Sequence, residues 1–370
     1  MKLKDNAKNF IYGFFDRSEI CTINLAIKIL YNWRLKHNYS LKTDSLSPSF
    51  KKEVLSYWSK YTKKVKPHWH KYYSSRNNNF DARYMPDDLY YTIIDQHFNN
   101  RKHSFGMMDK NYFSLLFYDV RQPSIVVRKI NGFFHDKNYN IISVKKVMDL
   151  CDENKSLIIK PSVGTGGAKG IKFWSETDGL EALEKYLLSD FQNFVVQKII
   201  VQHCEIKRIH PSSVNTIRIV TLLFKGKVHI LSSILRMGVN GSRVDNASVG
   251  GITCGIKESG QLKDVAYSKY GIKYERHPQG FNFTECIIPS FDKIKEIVKK
   301  QQEKMAHFRL ISWDIAIGED GEPILIEANL RLGDLGIHQL NNGPLFGELT
   351  DEVLEEVFGN NKALESRTEL

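Results

Sequence analysis

Residues 311–331, ISWDIAIGEDGEPILIEANLR, constrain the fold of this 370-residue chain more than any other stretch. Two runs rich in isoleucine flank Glu319-Asp320-Gly321, so the segment reads as a β-hairpin. With Asp320-Gly321 as a two-residue turn, Asp314 pairs with Glu327 and Ser312 with Asn329. Alternation then gathers Asp314, Glu327 and Asn329 on one face and leaves Trp313, Ile315, Ile317, Ile324 and Ile326 to pack as a core on the other. Three oxygen donors in one cross-strand neighbourhood suit a hard octahedral cation such as Mg²⁺, which keeps waters and phosphate oxygens as its other ligands. A polar face that merely meets water is the competing reading. Against it, two opposed carboxylates repel unless a cation or a proton lies between them.

A second segment, LIIKPSVGTGGAKGIKFW at 157–174, sets Gly164, Gly166, Gly167 and Gly170 between two β-like runs. Such a loop can act as a flap whose backbone amides close over phosphates. It has neither the order of a Walker loop nor that of a dinucleotide fingerprint, and glycine-rich turns without ligands are common. Lys160 sharpens the reading, because a lysine ending an apolar strand is either a phosphate partner or an unexplained buried charge.

The third segment, residues 213–238, puts Arg218 and Arg236 on adjacent strands around Lys225-Gly226. A two-residue turn pairs Asn215 with Arg236 and sends the arginines to opposite faces. A three-residue loop with a bulge at Gly226 or Lys227 pairs Thr216 with Arg236 and aligns them. Both registers remain open from sequence. The following GSRVDNASVGGITCG reads as a polar, glycine-rich loop with Arg243, Asp245 and Asn246 available to line a site.

Charge and glycine divide the chain unevenly. Residues 1–105 hold 19 basic and 9 acidic side chains, a net of +10, and residues 106–370 hold 34 and 33. Only Gly13, Gly106 and Gly132 precede residue 156. The first 105 residues therefore read as a mainly helical, basic region, with helices around Ile20–Leu30 and Phe50–Tyr61 and a linker at Asn77-Asn78-Asn79 and Met85–Asp88. Aromatic and basic residues alternate from Tyr57 to Tyr73. The sharper reading is a patch for a polyanion or a membrane surface; the simpler is a solvated face whose aromatic side packs on a core. Beyond residue 105, β-rich runs at 124–130, 156–160, 170–174 and 194–200 alternate irregularly with helices at 143–150, 178–188 and 290–308, which argues α+β. The five cysteines form neither a zinc pattern nor a disulfide framework. No transmembrane helix or signal peptide is expected, and a reducing cytoplasm is the simplest location, with peripheral association at the inner face of the membrane as an extension.

Taken in order, these parts resemble the ATP-grasp superfamily: Lys110 in MDKNYFSLLF, Lys160 with its flap, VVQKIIVQHCEI, the arginine hairpin, and Glu327-Ala-Asn329 after Asp314. From DARYMPDDLY through WDIAIGEDGEPILIEAN the chain looks most similar to the sugar-transfer-associated ATP-grasp group, relatives of α-L-glutamate ligases. That resemblance implies two α+β subdomains sandwiching ATP, a flap subdomain over about 106–200 and a metal-binding one over about 201–345, with a C-terminal helix near 349–358. It implies Lys110 and Lys160 as nucleotide lysines, Gln197, Lys198, Ile199, Ile200 and Val201 as the adenine hinge, and Glu205 as the ribose carboxylate. Asp314, Glu327 and Asn329 would hold Mg²⁺ or Mn²⁺, Arg218 and Arg236 would steady the transferred phosphoryl group, and Arg331 is a weaker candidate.

The activity so implied is an ATP- and Mg²⁺-dependent carboxylate–amine ligase working through an acyl phosphate, joining an amino acid to a uronic acid of a surface polysaccharide precursor. The alternatives are a glutamate-ligase-like enzyme acting on a protein or tRNA-borne substrate, and a polyanion-binding protein with a vestigial ATP site. Expected partners are ATP, a carboxylate and an amine, sugar-linked in the first reading, and an anionic membrane surface or acidic partner at the basic region. Nucleic acid is not expected. Two departures from the family pattern stand out: no Rossmann-like domain precedes the nucleotide site, and Ser312 stands before Trp313 where glycine is usual.

Overall fold

The computed structural model describes residues 22–31, 33–35, 46–163, 168–189, 193–305 and 307–368. The chain divides into two compact units, Met1–Phe98 with Gly343–Leu370, and Asn99–Asn342. This partition differs from the expected boundary at 105/106, and it groups the C-terminal helix Thr350–Thr368 with the N-terminal residues.

In the first unit, α1 covers residues 22–31 and 33–35. Helix α2, Pro48–Ser59, starts where Ser47 Oγ accepts from the Phe50 amide at 3.2 Å and Pro48 occupies the first turn. Helix α3, His68–Asn77, ends at Asn78 in the left-handed conformation with φ 55°. The expected linker at Asn77–Asn79 is therefore a helix cap, and Asp87 begins a further helical run rather than a loop. Within the aromatic–basic stretch, Trp58, Trp69, Tyr72 and Tyr73 are buried while Lys60, Lys63, Lys64 and Lys66 are exposed. The aromatic residues thus belong to a core, as the simpler reading had it.

The second unit contains two antiparallel sheets. Helices α4 (Arg101–Met107) and α5 (Phe113–Leu116) lead into β1 (Ile125–Ile130) and β2 (Phe133–His135); α6 (Val144–Asp152), β3 (Ser156–Pro161), β4 (Lys172–Ser175), α7 (Leu180–Leu188) and β5 (Phe194–Lys198) follow. The first sheet runs β2-β1-β5-β3-β4. Val147 and Cys151 of α6 and Leu183 and Leu187 of α7, each pair four residues apart, pack on Leu157, Ile159, Phe194 and Val196. Helix α8 (Cys204–Lys207) then precedes β6 (Thr216–Phe224), β7 (Lys227–Met237), β8 (Ile252–Ile256), β9 (Leu262–Ser268), β10 (Lys273–Tyr274), α9 (Phe291–Glu303), β11 (Leu310–Ile317), β12 (Pro323–Asn329) and α10 (Leu335–Asn342). The second sheet runs β10-β9-β8-β7-β6-β11-β12, and Phe291, Ile294 and Val298 of α9 pack on it. Strand β8 lies in the stretch expected to be a polar loop. Cys151, Cys204, Cys254 and Cys286 are free thiols, and no helix among the described residues is long and apolar enough to cross a membrane.

Candidate active site

The β11–β12 hairpin pairs Asp314 with Glu327 and Ser312 with Asn329. The route to that register differs from a two-residue turn. Gly318 donates to the Glu322 carbonyl at 2.9 Å, which closes a three-residue loop around Gly321 at φ 79°, and Ile315 pairs with Leu325. Ile326 is consequently an extra residue, a bulge that shifts the register by one before Glu327. The bulge changes which side chains reach the core: Leu325 joins Trp313, Ile315 and Ile317 there, while Ile326 turns to a cavity that Glu327 and Asn329 also line.

The β6–β7 hairpin uses the same device. Lys225 and Gly226, with φ of 48° and 74°, form a two-residue turn, and Phe224 pairs with Lys227. Leu231 is then skipped between the pairs Thr221–Ile230 and Val220–Ser232, so that Thr216 meets Arg236. The two-residue turn and the aligned arginines are both present, and the bulge lies in mid-strand rather than at Gly226 or Lys227.

Both arginines meet Asp314, which is paired with Arg218 across β11–β6. Arg218 donates from Nε to Asp314 Oδ1 and from Nη2 to Oδ2, both at 2.7 Å, and from Nη1 to Asp334 Oδ2 at 2.6 Å. Arg236 donates to Asp314 Oδ2 at 2.9 Å and to Asp245 Oδ1 at 3.0 Å, and Thr216 Oγ1 donates to Asp245. Burial works to raise the Asp314 pKa, yet the Arg218 and Arg236 guanidiniums outweigh it and hold the carboxyl at about 2. Burial likewise opposes the Arg218 charge, and Asp314, Asp334 and Glu327 overcome it and raise that pKa. Glu327 accepts from Lys110 Nζ at 3.2 Å. The opposed carboxylates are thus separated by the protein's own cations.

The cavity has a volume of about 560 Å³. Lys110 and Lys160 line it, and the Lys110 amide is tied to Ser162 O at 3.0 Å, just beyond the end of β3. Burial first, and then the like charge of Lys110, lower the Lys160 pKa to about 8, although Glu327 and Asp245 act in the other direction. Gln197, Lys198, Ile199 and Ile200 form one wall; Val201 is 55% exposed and is not among the lining residues. Gln197 Oε1 is buried and has no hydrogen-bond partner, which leaves an acceptor for a ligand there. Arg243, Asp245, Asn246 and Arg331 also line the space. Gly164, Gly166 and Gly167 lie outside the described residues, and their neighbours Val163 and Ala168 line the cavity. Glu205 is not brought to it: on α8 it pairs with Arg208 at 2.8 Å. Asp334, which sequence reasoning missed, completes the Arg218 cluster. Its signal was its place five residues past Asn329, where the chain leaves β12.

Could these residues hold a divalent cation? Asn329 uses its Nδ2 on the Ser312 carbonyl at 3.2 Å, which leaves the amide oxygen as its donor. Glu327 accepts a single bond, and Asp314 Oδ1 accepts one while Oδ2 accepts two. This oxygen-only set fits Mg²⁺, with Glu327 and Asn329 the more open donors.

Two antiparallel sheets bordering a cavity lined with lysines, arginines and carboxylates define the ATP-grasp fold. The chain belongs to the sugar-transfer associated ATP-grasp family, whose sequence model matches residues 92–353. No curated protein matches it. Among solved structures it is similar to the ATP-grasp ligase PsnB complexed with precursor peptide PsnA2 and AMPPNP, at 15% identity and a TM-score of 0.42, covering 70% of this chain and 62% of that one. It is also similar to D-alanyl-alanine synthetase A from Vibrio cholerae, at 13% identity, TM-score 0.40 and 68% and 62% coverage. D-cycloserine synthetase DcsG gives 14% identity, TM-score 0.40 and 66% and 70% coverage. The chain spans about three-fifths of the length of the first two.

Proposed function

We propose that the protein is an ATP-dependent carboxylate–amine ligase that forms ADP. The carrying observation is the set of cations, Lys110, Lys160, Arg218 and Arg236, lining the same cavity as the oxygen donors Glu327 and Asn329 in a chain of this family. A substrate carboxylate oxygen would attack the γ-phosphorus of ATP, the bond to the β-phosphate bridging oxygen would break, and ADP would leave. An amine would then attack the acyl carbon, the C–N bond would form as the nitrogen gives up a proton to solvent, and the acyl C–O bond would break so that inorganic phosphate leaves with the former carboxylate oxygen.

Lys110 and Lys160 are suited to the phosphates. The unpartnered Gln197 Oε1 is suited to the adenine amino group, and Arg218 and Arg236 to the charge of the phosphoryl group in transfer. Mg²⁺ (or Mn²⁺) held by Glu327 and Asn329, with Asp314 beside them, would supply charge neutralisation on the phosphate oxygens. The family description supports a sugar-linked acceptor, and an amino acid joined to a uronic acid is the form we propose.

The test crosses amino acids with uronic-acid acceptors, reads ADP and phosphate release, and identifies the product by mass. The expected outcome is stoichiometric ADP, phosphate and amide. A protein that binds no MgATP, with Glu327→Ala indistinguishable from wild type, overturns the reading.

A further inference from the structure

Four carboxylates line the cavity, and they are not equally engaged. Asp314 accepts three bonds from the two arginines, Asp245 is held by Arg236 and Thr216, and Glu327 accepts from Lys110. Asp334 differs from all three. It takes one bond, from Arg218 Nη1 to Oδ2 at 2.6 Å, and its Oδ1 accepts nothing from a described residue. Its side chain is 51% exposed, against 27, 11 and 6% for those of Glu327, Asp245 and Asp314.

An aliphatic amine reaches such a cavity as an ammonium at neutral pH. The eight lysines and arginines of the lining repel it unless an acid that they have not neutralised receives it. Asp334 Oδ1 is that acceptor, and Arg218 fixes where it stands. The guanidinium gives Nε and Nη2 to Asp314 and Nη1 to Asp334, so a nitrogen bound at Asp334 lies beside the arginine suited to the phosphoryl group in transfer. The backbone supports the same placement. Leu332, two residues before Asp334, has φ 52°, a region that a branched side chain enters only at a cost, and it is 44% exposed, so burial does not offset that cost. Leu332, Gly333 and Asp334 all line the cavity, so the strained turn keeps the exit from β12 on its wall.

Resting on the ligase reading above, we propose that Asp334 binds the amine substrate, with Oδ1 receiving the ammonium of an amino acid beside the acyl phosphate. The ammonium passes one proton to Oδ1, which frees the nitrogen lone pair, and Oδ1, open to solvent, returns that proton to water. The lone pair then forms the C–N bond, the nitrogen gives up its second proton to solvent, and the acyl C–O bond breaks as phosphate leaves. The site selects a charged aliphatic amine, because an uncharged nitrogen gains little from a carboxylate.

Two nucleophiles separate this role from mere support of Arg218. Hydroxylamine is largely uncharged at neutral pH and traps an acyl phosphate as a hydroxamate, whereas an amino acid arrives as an ammonium. The full chain and its Asp334→Asn and Asp334→Glu variants are given MgATP, glucuronate or galacturonate, and either hydroxylamine or the common amino acids. Hydroxamate, amide and ADP are measured at neutral pH, and thermal unfolding checks that the variants fold. For the amide, Asp334→Asn should lose on the order of 10²-fold in kcat/KM, mainly through a higher KM for the amino acid, while hydroxamate formation should fall only about threefold, the part owed to Arg218. Asp334→Glu should recover part of the amide rate. Equal loss of both products in Asp334→Asn assigns the carboxylate to holding Arg218, and a raised Mg²⁺ requirement with that loss assigns it to the metal; either overturns the proposal. An unchanged amide rate overturns it too, as does hydroxamate from the wild type with no amide from any amino acid. Wild-type protein that yields neither product overturns the ligase reading itself, and the amine site falls with it.

Discussion

Asp314 and Arg218, paired across adjacent strands, are joined by two hydrogen bonds of 2.7 Å, so the carboxylate expected to face a metal is first of all the counter-ion of the arginine hairpin. Removing Arg218 takes away two of the three hydrogen bonds to the buried Asp314 and leaves Arg236 as its remaining partner, which costs about 3 kcal/mol. Arg218→Met should therefore destabilise the second unit by that order in urea unfolding, and adding Asp314→Leu should recover part of the loss. The pair also sets the acid limb of stability. Because the folded pKa of Asp314, about 2, lies below the ordinary 3.8, its contribution is full above 3.8 and is lost as pH falls through about 2. In Asp314→Asn that part of the acid dependence should be missing.

Lys160 gives two opposite pH trends. Its folded pKa of about 8 lies below the ordinary 10.5, so between those values the unfolded chain binds more protons and the stability of the nucleotide-free protein rises with pH. Affinity for ATP should fall through the same window, because the deprotonated amine no longer attracts phosphate. Calorimetric titration and thermal unfolding across pH 8 to 10.5 check both limbs. In Lys160→Met the stability rise should vanish and the nucleotide affinity should lose this dependence.

The strands that carry the site were legible because alternating β-branched residues leave little choice of conformation, as in Thr216–Phe224 and Leu310–Ile317. The pairing of Asp314 with Glu327 was legible only through a two-residue turn that the hairpin does not have: counted from the three-residue loop, Asp314 would face Ile326, and the bulge restores the pair. What counting cannot supply is a change of register in mid-strand. The extra residues Leu231 and Ile326 leave no mark in a period-2 pattern, yet they align Arg218 with Arg236 and turn Ile326 out of the core. Strand β8 was hidden for another reason. Its Gly255 breaks the β signal, and a Cβ there would lie 2.6 Å from Asn342 Oδ1 and 2.8 Å from Lys263 Cδ, so those two side chains would have to shift to admit one. The charge network around Asp334 and Asp245 is a tertiary arrangement, and no spacing in the chain encodes it.

Gly251 supports that network through backbone alone. A Cβ at this position would collide with the Asp245 carbonyl oxygen and come within 2.9 Å of its carbonyl carbon, contacts that no rotamer change relieves. Gly251→Ala should displace Asp245 from Arg236 and Thr216 at a cost of about 1–3 kcal/mol. ATP turnover should fall more than stability alone explains, because Asp245 and Arg236 both line the cavity. Chemical denaturation together with ADP release at saturating ATP separates the two effects.

The bond from Lys110 to Glu327 predicts different outcomes for its two ends. Without Glu327, the oxygen donors thin to Asn329 and the arginine-bound Asp314, and Lys110 keeps its charge toward the phosphates. Glu327→Gln should therefore retain weak metal-free ATP binding while losing about 10²-fold in Mg²⁺-dependent turnover, an effect excess Mg²⁺ restores only in part. Lys110→Met leaves Glu327 without its cation, so the carboxylate should bind Mg²⁺ more readily in the absence of nucleotide, while ATP affinity falls about tenfold. Thermal shifts with Mg²⁺ alone, ATP alone and both together distinguish the variants, and chelation with EDTA should abolish turnover in every one of them. Equal responses of the two variants to Mg²⁺ alone would show that the carboxylate and the ammonium are not coupled at this site.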